Sequence, residues 1–156
     1  MPPQVGVSTL PPAQAEKFRT RAGILARVNV ALYQVSPEHR LRNISRASPG
    51  SSPAEEPPPA KLVLGYLITA YGKAAPEQEH SVERLLEAAH DAIHRMPILT
   101  ALQLAAAMPA SAGPRPNIRA AISLMSMTNE DTCRLFSAMR AECRPALFYV
   151  VRYGEQ

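Results

Sequence analysis

The stretch KLVLGYLITAYG, residues 61–72, decides how the rest of the chain is read. At the two-residue period of a strand, Leu62, Leu64, Tyr66, Ile68 and Ala70 fall on one face and Val63, Gly65, Leu67, Thr69 and Tyr71 on the other. Both faces are mostly apolar, which places the strand inside a sheet, with neighbours on both edges and helices over at least one face. A helix is the competing reading. The three prolines ahead of the stretch, Gly72 after it and the β-branched and aromatic residues between favour a strand.

Working outward, RVNVALYQV (residues 27–35) alternates in the same way and predicts a second strand, ended by Ser36 and Pro37. The segment that follows turns to Pro, Ser, Glu and Arg, and its part at about residues 44–60 reads as a flexible loop that returns the chain to the central strand, so the two strands are expected to be neighbours. Towards the start, Val5, Val7 and Thr9 alternate with Gly6 and Ser8, a short strand stopped by Pro11 and Pro12 and expected at a sheet edge. Residues 13–21 carry no apolar stripe and read as a loop with a turn.

Beyond Gly72, Val82, Leu85, Leu86, Ala89, Ile93 and Met96 recur at three and four residues, the mark of an amphipathic helix opened by Pro76 and acidic residues and closed by Pro97. Thr100 can cap a shorter helix through Ala107 that should lie on the same core. Residues 117–127 predict another strand, Thr128 with Asp131 a capping-box start for a helix bearing Leu135, Phe136 and Met139, and ALFYVVRY (residues 146–153) a last strand. The sum is an α+β fold in a single domain over residues 1–156. Its sheet is mixed but mostly antiparallel, of about four to five strands, with helices packed on one face.

Composition bounds the function classes. The chain has 156 residues, is 46% hydrophobic and has no apolar run long enough to span a membrane. Its start lacks the basic and apolar segments of a secretory signal, so assembly in the cytoplasm is expected. Cys133 and Cys143 fit no CxxC pattern and read as two small core thiols. The net charge of +4 is uneven, with seven Lys or Arg against two acids up to Ala47 and ten against eleven beyond it. Such a cluster suits a solvated face, an acidic protein surface or phosphate.

No nucleophile elbow, phosphate-cradling glycine loop or paired catalytic carboxylates occur, so no catalytic residue, cofactor or small-molecule substrate is assigned. His90 and His94, four apart on a helix, have the spacing of a metal pair. Asp91 replaces the expected base and no third ligand stands at a known spacing, so two solvent-side histidines are the reading and no metal is assigned. His39 and His80 stand alone in polar stretches and read as surface residues.

VNVALYQVSPEHRLRN (residues 28–43), LGYLITAYG (64–72), MPIL (96–99), TLPP (9–12) and RPALFYVV (144–151) together resemble cap proteins of extracellular contractile injection systems. These are the tail-terminator proteins of the Photorhabdus virulence cassette and antifeeding-prophage type. The resemblance implies a phage tail-terminator-like fold. It also implies a structural role as a homohexameric ring that ends the inner tube and joins the sheath of a particle assembled in the cytoplasm and then either released or kept inside the cell. Members carry a helix ahead of the TLPP strand, whereas Met1 here lies eight residues before Thr9, so that helix is absent or starts upstream.

For such a cap, exposed strand edges can accept partner strands, and the first and last strands are the expected edges. Within the last strand Phe148, Val150 and Arg152 are the contact residues named, and in the loop Arg40, Arg42 and Arg46 would meet acidic patches on tube or sheath. The alternative is a nucleic-acid-binding module that uses the basic first third. A metallohydrolase built on His90 and His94 is a further rival.

Overall fold

The computed structural model describes residues 5–17, 26–38, 62–72, 81–107 and 118–155. In chain order its elements are β1 (Val5–Ser8), α1 (Pro12–Lys17), β2 (Ala26–Pro37), β3 (Leu62–Tyr71), α2 (Val82–His94), β4 (Ile98–Leu99), α3 (Ala101–Ala107), β5 (Ile118–Met125), α4 (Asn129–Ala138) and β6 (Ala146–Glu155). The six strands form one mixed sheet in the order β1-β2-β3-β6-β5-β4. β1 runs parallel to β2 and every other pair is antiparallel.

β3 holds the interior position expected of it, between β2 and β6. Its register explains the core, because residues directly opposite each other in an antiparallel ladder share a face. Ile68 opposes Val30 and Leu147, and Tyr66 opposes Tyr149. That face is covered by Leu85 and Leu86 of α2, with Val82, Ala89 and Ile93 beside them. Leu67 opposes Ala31 and Phe148 on the other face. There Phe136 of α4 is fully buried against Leu67 and Phe148, with Tyr33, Met125, Leu135 and Met139 around it. Helices therefore cover both faces of the sheet, not one. The reason was already present in β3, whose two apolar faces each require a cover.

Three helix starts follow from their capping residues. Ser81 accepts from the Arg84 N–H at 3.3 Å and Thr128 from the Asp131 N–H at 3.1 Å. At α3, Thr100 Oγ1 accepts from the Gln103 N–H at 3.4 Å, and Gln103 Oε1 accepts from the Thr100 N–H at 2.9 Å, a reciprocal box. The C-terminus of α4 closes with Arg140 at φ 54°, donating its N–H to the Ser137 carbonyl while the Ala141 N–H reaches the Phe136 carbonyl, both at 3.0 Å. This is the paired bonding of a helix ended by a left-handed residue, a position that glycine usually fills.

Several expectations need correction. The sheet has six strands, because Ile98 and Leu99 pair with Ala121 and Ala120 as a two-residue edge strand too short to show a period. Residues 12–17 are helical, not loop. The short helix buries Pro12 and Ala15 against the sheet, and its first turn is fixed by the Gln14 and Ala15 N–H groups on the Pro11 carbonyl. α3 buries none of its residues, so it does not share the core. The cysteines are neither core residues nor thiols: both are exposed and joined to each other in a disulfide. The proline-rich segment 44–60 lies outside the described residues.

Candidate partner interfaces at the sheet edges

β1 ends one side of the sheet, as its short alternation predicts. Its inner edge pairs with β2 from Val5 opposite Ala26 to Ser8 opposite Asn29, and no described strand pairs with its outer edge. Asn29 fixes its position. Fully buried, the Asn29 amide accepts from Ser8 Oγ at 2.8 Å and from the Leu10 N–H at 3.0 Å, and it donates through Nδ2 to the Leu10 carbonyl at 2.9 Å. The side chain thus serves the backbone at Leu10 as a neighbouring strand would. Val5 is 44% exposed and Val7 74%, and neither a charge nor a proline lies in VGVS. Those are the usual devices for protecting an edge, and they are missing here.

At the opposite side stand β4 and the part of β5 beyond it. Met96, Ile98 and Leu124 are more than half exposed there, and Leu102 of α3 is 81% exposed. The two edges differ in strand, residues and attached helix, and about 24 Å of sheet separates them. A third apolar group, Leu32, Val35 and Leu62, is exposed where β2 and β3 lead into residues 39–61.

The residues named from the sequence are placed unequally. β6 is not an edge: β3 and β5 occupy both of its sides from Phe148 to Arg152, so that stretch has no free backbone for a partner strand. Phe148 is buried in the core, 6.1 Å from the Tyr33 ring in an edge-to-face arrangement. Val150 is half-buried opposite Gly65 and Ser123, and Arg152 is exposed opposite Val63 and Ala121. Arg40, Arg42 and Arg46 lie outside the described residues, as do Arg19, Arg21, His39 and His80.

His90 and His94 stack at 5.8 Å on α2, the first half-buried and the second exposed. His90 Nδ1 and the Tyr149 hydroxyl share a hydrogen bond of 2.8 Å, which engages that ring nitrogen inside the fold. Burial raises the Tyr149 hydroxyl pKa above its usual 10.0. No group of three or more His, Cys, Asp or Glu able to hold a metal occurs among the described residues, and no described helix is long and apolar enough to cross a membrane.

Sequence reasoning missed the β4 edge and its exposed apolar residues. A signal was available in MPIL, where a proline cuts a helix and two strand-forming residues follow at once. Asn29 was also missed as a lock, although a lone amide inside an otherwise apolar alternation marks a side chain that needs a fixed partner.

A solved structure described as the sheath/tube terminator of an extracellular contractile injection system, PVC, in its extended state, resembles this chain with a TM-score of 0.59 at 15% identity. The match covers 98% of this chain and 50% of that one, so the chain spans about half the length of its neighbour, and at that identity the likeness is one of fold. No curated protein matches the chain. The family model described as the Pvc16 N-terminal domain matches residues 2–153, and the chain belongs to that family.

Proposed function

We propose that this protein is a structural cap of a phage-tail-like contractile injection particle, a ring of identical subunits that ends the inner tube and joins the sheath. The observation that carries the reading is the fold shared over 98% of the chain with a sheath/tube terminator, within a family of matching description. The two sheet edges fit the role. A closed ring of more than two copies needs heterologous contacts, two different surfaces on each subunit, and β1 and the β4–β5 side are two such surfaces. Six copies are the number the role calls for, with tube and sheath proteins as the partners. Arg152, the half-buried Val150 and the loop residues Arg40, Arg42 and Arg46 remain contact residues of the proposal. Phe148 acts from within, holding β6 in place.

Electron microscopy of particles made without this chain tests the reading: overlong or unfinished tubes are expected, and particles of normal, uniform length overturn it. A second arm addresses the edge. Val7→Lys places a charge at a site already exposed, so the subunit should fold normally yet fail to cap; full capping by this variant removes β1 from the interface.

A further inference from the structure

Cys133, on α4, and Cys143, in the turn before β6, are joined as a disulfide with their Cα atoms 5.1 Å apart. Both residues are exposed, so a small thiol or disulfide can reach the bond. α4 has its own anchors in fully buried Phe136 and the Thr128 cap, so the helix does not depend on the bond to stay on the sheet. What the bond closes is the turn that carries Arg144. That guanidinium lies 4.5 Å from the centre of the Tyr71 ring and donates to Glu16 Oε1 at 2.7 Å, with Glu142 Oε2 at 3.7 Å. Glu16 belongs to α1, a short helix whose only buried residues are Pro12 and Ala15.

We infer that Cys133 and Cys143 form a redox-set staple, whose closure determines how firmly Arg144 holds α1 against the sheet through Glu16. Under reducing conditions the pair is a dithiol, the 139–145 turn is tethered only at its two ends, and Arg144 spends less of its time on Glu16. Closure is thiol–disulfide exchange with an oxidised small thiol such as glutathione disulfide. One cysteine thiolate attacks the oxidant, forming a mixed disulfide and expelling one thiol. The second cysteine thiolate then attacks the first cysteine's sulfur and expels the other thiol. Two cysteine thiols and one disulfide become one protein disulfide and two small thiols. A chain that leaves a reducing cytoplasm for oxidising surroundings would therefore tighten after it has folded.

Amide hydrogen exchange on the purified protein, with the bond closed by glutathione disulfide or opened by a phosphine, tests this. On opening, amides of α1 and of residues 139–145 are expected to exchange about tenfold faster while those of β3 do not change. Cys133→Ser with Cys143→Ser should match the reduced protein under both conditions. Glu16→Ala should exchange fast at α1 whether the bond is open or closed, because the acceptor for Arg144 is gone. Unchanged α1 protection on reduction overturns the inference. So does alkylation of both cysteines after full incubation with glutathione disulfide.

Discussion

The Asn29 side chain and the Leu10 backbone are joined in both directions, Oδ1 accepting from the Leu10 N–H at 3.0 Å and Nδ2 donating to its carbonyl at 2.9 Å. An amide does both at once without having to take up a proton, as a carboxylate would. Asn29→Asp keeps the shape but turns the donor into an acceptor facing the Leu10 carbonyl, inside a fully buried site. A loss of about 3 kcal/mol is expected in denaturant unfolding, and Asn29→Ala should lose about 2 kcal/mol. In both, β1 should lose amide protection before the rest of the sheet does.

Gly65 is held by Tyr33. The register of β2 against β3 skips Tyr33, and a Cβ at Gly65 would meet the Tyr33 Cζ at 2.9 Å and the Gln34 Cβ at 3.1 Å. The bulge lets the ring lie over the glycine and reach Phe148. Gly65→Ala should therefore destabilise the protein by about 1–3 kcal/mol despite the ordinary strand preference against glycine. Gly65→Ala combined with Tyr33→Ala should cost less than the sum of the two single changes, which a double-mutant cycle in urea would read.

Thr69 Oγ1 is buried without a hydrogen-bond partner among the described residues. Thr69→Val replaces that hydroxyl with a methyl of nearly the same shape. The change should leave stability unchanged or raise it by about 1 kcal/mol, seen as a higher midpoint of chemical unfolding.

Arg140, at φ 54°, sits where the α4 terminus requires a left-handed residue. Arg140→Gly removes the steric cost of its Cβ while keeping both closing hydrogen bonds, and a gain of about 0.5–1 kcal/mol is expected. A lower Tm in this variant would show that the arginine side chain contributes more than its backbone strain costs.

Burial raises the hydroxyl pKa values of Tyr33, Tyr66 and Tyr149 above 10.0, with Tyr153 adding to the effect at Tyr66. The folded state then keeps protons that the unfolded state releases near that pH. Their contribution to stability is whole below about pH 10 and falls as pH rises through the folded values. Thermal melts from about pH 8 to about pH 11 should show Tm dropping at the alkaline end, and Tyr66→Phe should make the drop shallower.

Local features of this fold were legible in the sequence and long-range ones were not. The alternation of β3, the apolar stripe of α2 and the Thr128 cap each depend on residues a few positions apart, and each reads directly. The edge position of β1 followed from its length and its prolines. β6 looked like the other edge because it comes last, yet sheet order is set by which apolar faces complete one another, and Leu67 and Phe136 require Phe148 between them and solvent. The disulfide was hidden for a similar reason: only the turn after α4 folds Cys143 back beside Cys133, and no local pattern announces that turn when arginine stands in the glycine position. α1 has a single buried alanine where an amphipathic helix would show a stripe.

The seat of β6 in the middle of the sheet also sets the order in which the molecule can be made. A nascent chain carries β2, β3 and α2 early, but Leu67 and Phe136 stay unsatisfied until Ala146–Glu155 has been synthesised and threaded between β3 and β5. Such late, distant pairing is slow and leaves apolar surface open while it waits. It also means that the fold tolerates no early stop: a fragment that ends before Ala146 lacks the strand that joins the two halves of its own sheet.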